Sequence, residues 1–191
     1  MCWDKTMNRA IFLDRDGVLI HNRAKYIRSW DEVKIYPFTF KAISALRKFQ
    51  HKIIILTNQS AIGRGFVDTK TIDEINQKLK DRIEANGGRI DGIYLCPHAP
   101  QDHCDCRKPK PGLVYQAQKD FDIDLENSWL IGDAYSDLQT GVNSGIKNLI
   151  LLQTGRGKKQ WNNYRKQLDS INYHYIKNLR EAINVIDHSF L

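Results

Sequence analysis

The chain has 191 residues, 41% of them hydrophobic and 27% charged, which is enough apolar side chain for one compact core and too little length for two full domains. No apolar run approaches bilayer length, and the opening Met1-Cys2-Trp3-Asp4-Lys5 lacks the basic-then-apolar order of a secretory signal; a membrane-spanning protein is excluded and a soluble cytoplasmic one predicted. The 29 Lys and Arg against 22 Asp and Glu leave a charge of +7, which favours anionic partners without choosing among phosphate esters, nucleic acid and an acidic surface.

In chain order, a short apolar run at 10–13 reads as a buried strand ending in Asp14-Arg15-Asp16-Gly17. A polar stretch of about twenty residues follows and carries His21, Asn22, Arg23, Lys25 and Tyr26. A helix is predicted over 40–49, with Ala42, Ile43, Ala45 and Leu46 on its apolar face, and then a strand over 52–56 ending in Thr57-Asn58-Gln59-Ser60. The spacing of Ile72, Ile75, Leu79 and Ile83 predicts a helix over 71–85. A strand at 92–95 runs into a cysteine-rich loop, a helix spans 112–120, a strand at 128–131 ends in Gly132-Asp133, a helix spans 136–144 and a strand spans 148–152.

The segment 154–159 reads as a flexible basic break, followed by an edge strand over 173–176 and a helix over 179–186. Strands alternating with helices imply an α/β fold: one Rossmann-like domain over 1–191, with a mainly parallel sheet covered by helices on both faces. Ligands of such sheets bind outside the carboxyl ends of the strands, so the polar tips after the first, second and fourth strands are expected to converge. The basic segment 153–191, with Arg156, Lys158, Lys159, Arg165 and Lys166, reads as a solvated face.

Carboxylates two apart in Asp14-x-Asp16 can direct one at a reacting phosphorus and the other at a leaving oxygen. A carboxylate approaches an anionic phosphate only if cations cancel the repulsion, which requires Mg2+ on oxygen ligands. Asp133, straight after a buried strand, is the best further ligand, and Asp137 is placed to ligate directly or through water. Thr57-Asn58-Gln59-Ser60 offers a hydroxyl and N–H groups to phosphoryl oxygens, with Arg64 nearby. In Arg107-Lys108-Pro109-Lys110-Pro111-Gly112, Lys108 rather than Lys110 is the expected neutralising cation.

Three of the four cysteines crowd into eleven residues (96–106), which argues metal before disulfide, while Cys2 reads as a spare thiol. Cys96-x-His98 and Cys104-x-Cys106 supply three thiolates and one imidazole, a ligand set for a closed, structural Zn2+ site; His103 is an alternative to His98. Because this zinc loop over 96–106 leads directly into Arg107 and Lys108, the ion is expected to fix cations that meet the substrate.

Taken together, these motifs, in this order over about residues 9–155, resemble those of the haloacid dehalogenase-like phosphatase superfamily. Phe12-Leu13-Asp14-Arg15-Asp16-Gly17, Leu56-Thr57-Asn58-Gln59-Ser60 and Cys96-Pro97-His98 with Cys104-Asp105-Cys106-Arg107-Lys108-Pro109 are similar to its branch of heptose bisphosphate and histidinol phosphatases. The resemblance implies Asp14 as nucleophile, Asp16 as general acid and then base, and Thr57 and Lys108 as phosphoryl stabilisers. It also implies Mg2+ on Asp14, Asp133 and the backbone carbonyl of Asp16, and His98 rather than His103 on zinc.

Arg15, Tyr26, Asn58, Gln59, Ser60 and Arg107 are the expected substrate contacts in an open site without a cap domain. Ala134 stands where the branch often has a basic residue, so Arg107 and Arg23 would have to serve a distal phosphate. The expected partner is a small phosphorylated metabolite, such as a heptose bisphosphate, with histidinol phosphate as the competitor, and the expected state is a monomer. A nucleic-acid-binding module, suggested by the +7 charge and basic tail, lacks a groove-binding motif.

Overall fold

The structure, a computed structural model, describes residues 7–188; Cys2 lies outside them. Six parallel strands form one sheet in the order β3-β2-β1-β4-β5-β6, in which β1 is Ala10–Leu13, β2 Lys52–Asn58, β3 Gly92–Cys96, β4 Trp129–Gly132, β5 Asn148–Leu152 and β6 His174–Ile176. Strand order reverses between β1 and β4, whose carboxyl ends therefore flank a crevice open to both halves of the sheet.

Alternation along each strand divides the core. Ile11, Leu13, Ile53, Ile55, Ile131 and Ile150 face one layer, with α1 (Thr39–Leu46), α3 (Thr69–Ala85) and α8 (Leu179–His188) contributing Ile43, Leu79 and Ile186. The residues between them, Phe12, Ile54, Leu56, Leu130 and Leu149, face the other, where α4 (Gly112–Phe121) and α5 (Tyr135–Ser144) bring Val114 and Leu138. Burial on both faces explains why the strands read as continuous apolar runs. The Rossmann-like parallel sheet with helices on both faces is therefore observed.

Two strand boundaries moved for a physical reason. Ser128, expected to open the fourth strand, instead turns its fully buried hydroxyl to the backbone: Oγ accepts from Ala10 N at 2.9 Å and donates to Asp124 O at 2.5 Å. β2 runs two residues past 56 because Thr57 and Asn58 pair with Leu95 and Cys96. The polar tip after β2 is thus begun by strand residues and continued by the short helix α2 (Ser60–Gly63).

The 154–159 segment is not a flexible break. Gly157 opens α6 (Gly157–Asn163), which leads to α7 (Arg165–Leu168), and a Cβ at Gly157 would lie 1.6 Å from Leu152 O. Between β1 and α1 the chain forms a turn bridged by Ile20 and Ile35, with no inserted domain among the described residues. No described helix is long and apolar enough to cross a membrane.

Ser128→Ala should leave the Ala10 amide buried without a partner, at a cost of about 1–3 kcal/mol. Urea unfolding is expected to show a lower midpoint with an unchanged slope; an unchanged midpoint would mean that this bond contributes nothing.

Candidate active site

The tips of β1, β2 and β4 and the loop before α4 enclose a cavity of about 330 Å3, whose floor carries Asp14, Thr57, Lys108 and Asp137 and whose rim carries Arg23, Tyr26, Arg107 and Arg156. Asp14 is held there by its own backbone, since its N–H donates to Ile131 O of β4 at 3.0 Å. Its carboxylate meets Lys108 Nζ at 2.8 Å. The same ammonium reaches Leu56 O at 2.8 Å and Asp137 Oδ1 at 2.7 Å, and so all three of its protons have acceptors. Lys110 lies on the exterior against Asp105.

Lys108 is positioned by Asn58, whose side-chain amide pairs with both backbone groups of that residue: Nδ2 donates to Lys108 O at 3.2 Å, and Oδ1 accepts from Lys108 N at 3.1 Å. Asn58 lines the cavity as expected, with its amide committed to this pairing.

Oxygens of Asp14, Asp133 and Asp137 all lie within 4.8 Å of one another, and all three residues are buried. Burial, together with Asp137, Asp133 and Asp16, pushes the Asp14 carboxyl up to about 7 against the pull of Lys108. Asp133 is raised in the same direction, by burial first and then by Asp137, although Arg156 opposes it. Burial lowers the Lys108 ammonium, and the carboxylates of Asp137 and Asp14 more than offset this and hold it above its ordinary range. Lys108 and Arg156 bring two positive charges to three carboxylates. A hard cation with oxygen ligands, Mg2+ in particular, fits this donor set.

Backbone and carboxylate crowd each other around Asp133. At Gly17 (φ +96°) a Cβ would stand 2.1 Å from Asp133 Oδ2, and at Gly155 (φ +57°) 2.2 Å from it. Only glycine combines this approach with a left-handed backbone.

Asp16, partly exposed, accepts from Arg15 Nε at 2.9 Å and Gln59 Nε2 at 3.0 Å, both on Oδ2. Gln59 Nε2 also donates to Thr57 Oγ1 at 2.7 Å, and together with Ser60 Gln59 lines the cavity. Arg15 does not line it: with no exposure at all, its guanidinium turns into the protein towards Asn76 of α3. The expected substrate contact is thereby corrected, because side chains that alternate along an extended segment send Arg15 to the core when Asp14 and Asp16 face the crevice.

Arg156 was missed. Its N–H donates to Asp133 Oδ2 at 2.7 Å, and its half-exposed guanidinium lines the cavity 3.4 Å from Asp133 Oδ1. The loop that carries it is fastened at two further points: Thr154 Oγ1 donates to Gly17 O at 2.6 Å, and Gly155 N donates to the hydroxyl of Tyr36 at 3.1 Å. The available signal was topological, for β5 follows β4 in the sheet and its carboxyl end opens onto the same crevice. Arg64 is absent from the cavity lining, and Arg23 is there with Glu32 at 3.2 Å.

Beside the cavity, Cys96, His98, Cys104 and Cys106 bring one ligand atom each within 4.8 Å. The sulfurs of Cys96 and Cys104 lie 3.6 Å apart, those of Cys104 and Cys106 3.4 Å, and His98 Nδ1 is 3.3 Å from Cys106 Sγ. Tetrahedral ligands about 2.3 Å from one ion stand about 3.8 Å apart, so this cluster can hold zinc. His103 is not part of it. Arg107 Nη1 donates to His98 O at 3.2 Å, tying the cluster to the rim.

The HAD-hydrolase-like family model matches residues 105–182. A D-glycero-beta-D-manno-heptose-1,7-bisphosphate 7-phosphatase of Helicobacter pylori is 38% identical over 148 residues, which cover 77% of this chain and 84% of that protein. The chain belongs to the haloacid dehalogenase-like hydrolases. The same likeness extends to structure: the D,D-heptose 1,7-bisphosphate phosphatase of Bordetella bronchiseptica, solved with magnesium and phosphate, superposes with a TM-score of 0.85 at 31% identity over 95% of this chain and 99% of that one. That of Burkholderia thailandensis gives 0.69 at 27% identity over 94% and 98%. The family resemblance read from the motifs is therefore correct, and the hydrolase fold covers almost the whole chain rather than only the residues that the family model matches.

Proposed function

We propose that this protein is a phosphatase that removes the 7-phosphate of D-glycero-β-D-manno-heptose 1,7-bisphosphate through an aspartyl-phosphate on Asp14. The observation that carries the reading is the buried Asp14 carboxylate, bound to Lys108 at 2.8 Å on the floor of a cavity rimmed by arginines. The names of the relatives over 77–79% of this chain support the sugar bisphosphate and its anomer.

In the first step, an Asp14 oxygen bonds to phosphorus as the bond to the sugar oxygen breaks, and Asp16 gives that oxygen a proton. In the second, Asp16 takes a proton from water while the water oxygen bonds to phosphorus, and phosphate leaves with Asp14 restored. Asp14, Asp133 and the backbone carbonyl of Asp16 would hold Mg2+, which would neutralise charge on the nucleophile and the phosphoryl oxygens. Lys108 holds the floor carboxylate in place, and the Thr57 hydroxyl and the residues opening α2 face the phosphoryl oxygens. Arg107, Arg23 and Tyr26 on the rim take up the sugar and its second phosphate.

Cys96, His98, Cys104 and Cys106 would hold Zn2+ in a structural role in this reading, fixing the His98 carbonyl that accepts from Arg107. The single domain, the cytoplasmic site and the monomeric state belong to the same proposal.

Phosphate release with Mg2+ from both anomers of the heptose bisphosphate, histidinol phosphate, fructose 1,6-bisphosphate and a 3'-phosphorylated oligonucleotide is the direct test. The β-heptose ester is expected to be hydrolysed fastest, and Asp14→Asn to lose all turnover. Preference for another ester would overturn the substrate, and turnover that survives in Asp14→Asn would overturn the mechanism.

Cys104→Ala is expected to lose zinc by metal analysis and to fall in activity or stability even at saturating Mg2+. Unchanged zinc and unchanged turnover would remove zinc from the account.

A further inference from the structure

Asn76 is a polar residue in an apolar stripe. It stands midway along α3 among Ile72, Ile75, Leu79 and Ile83 and is only 4% exposed. Its Oδ1 accepts from Arg15 Nη1 at 2.8 Å, and Arg15, itself without exposure, passes Nε to Asp16 Oδ2 at 2.9 Å. A chain of two side chains thus runs from the helix layer to a carboxyl at the edge of the cavity.

This chain is expensive. Arg15 Nη2 and Asn76 Nδ2 are buried with no hydrogen-bond partner among the described residues, and replacing both partners of such a buried bond by apolar groups of similar shape can be neutral or stabilising. Core packing therefore does not account for it, and its other end does. Arg15 Nε and Gln59 Nε2 both fall on Asp16 Oδ2, while Oδ1 takes no bond among the described residues. Two donors on one oxygen fix the plane of the carboxyl and exclude a proton from that oxygen, and they persist whether or not Oδ1 carries one.

We propose that Asn76, acting through Arg15, is a positioning residue for proton transfer: it locks the Asp16 carboxyl so that Oδ1 is the oxygen that gives the proton to the leaving group. The inference rests on the proposed function, in which the phosphorus bond to the sugar oxygen breaks as the bond to Asp14 forms and the Oδ1 proton passes to that oxygen. Gln59 is the second fastening, and it ties the same carboxyl to Thr57.

Departing phenolates need little protonation and departing sugar alkoxides need it fully, so the leaving group separates positioning from mere folding. kcat/KM, which reads the steps up to leaving-group departure, is measured for p-nitrophenyl phosphate and for the alkyl phosphate of the panel that the wild type hydrolyses best. Asn76→Ala is expected to lower the alkyl value by about tenfold or more and the aryl value by less than about threefold, within the range that one proton-transfer group supplies. Because Asn76→Ala strands the Arg15 guanidinium, Arg15→Met/Asn76→Leu removes both partners. It is expected to unfold at or above the temperature of Asn76→Ala and to keep the selective loss on the alkyl ester. Equal losses on both esters in the double variant, or no loss on either, would overturn the inference. A wild type inert towards every ester would instead overturn the proposed activity, and this inference with it.

Discussion

Mutual repulsion of buried carboxylates is the constraint around which this molecule is arranged. Two unit charges about 4 Å apart at the edge of a protein repel by about 4 kcal/mol at an effective dielectric of about 20, and Asp14, Asp133 and Asp137 bring three together within 4.8 Å. Each is met by something fixed. Lys108 reaches two of them and Arg156 the third, while the Ala134 N–H donates to Asp137 Oδ2 at 3.0 Å. Within that cluster two cations face three carboxylates, a shortfall that suits a divalent cation, while the arginines of the rim suit the phosphoryl group arriving with it.

The surrounding architecture supports those cations. Asn58 pairs with the backbone of Lys108, and the Cys/His cluster and the His98 carbonyl hold Arg107. The loop after β5 is fastened to Gly17, Tyr36 and Asp133 before it presents Arg156. A cation built on a fastened loop costs less ordering entropy when an anion binds than one on a free tail. The basic residues after 153 are therefore of two kinds: Arg156 belongs to the cavity, and Arg165 lies over the ring of Trp161 at 3.9 Å on the exterior.

Much of this was legible in the sequence where local pattern decides structure. Asp14 and Asp133 follow short apolar runs, and in a parallel sheet such runs end at the binding edge, so their meeting followed from chain order. Cys96, His98, Cys104 and Cys106 were legible because soft ligands that close in sequence have few other uses. Arg15, Asn76 and Arg156 were not, because their roles depend on direction and on distant partners. Arg15 turns inward one residue from Asp14, its partner lies 61 residues away, and Asn76 differs from its apolar neighbours by a single polar atom pair. Arg156 looked like part of a solvated charge run until the sheet placed β5 beside β4. Ser128 shows the same limit at small scale, since its hydroxyl bonds to Ala10 N and Asp124 O and the fourth strand opens one residue later.

The central claim is that Asp14 becomes phosphorylated during turnover. Borohydride added to enzyme turning over substrate with Mg2+ reduces an aspartyl-phosphate to homoserine, which peptide mass spectrometry locates. The account predicts homoserine at position 14 only when substrate is present, and none in protein incubated without it. An unmodified Asp14 under the same conditions, with phosphate still being released, would contradict it.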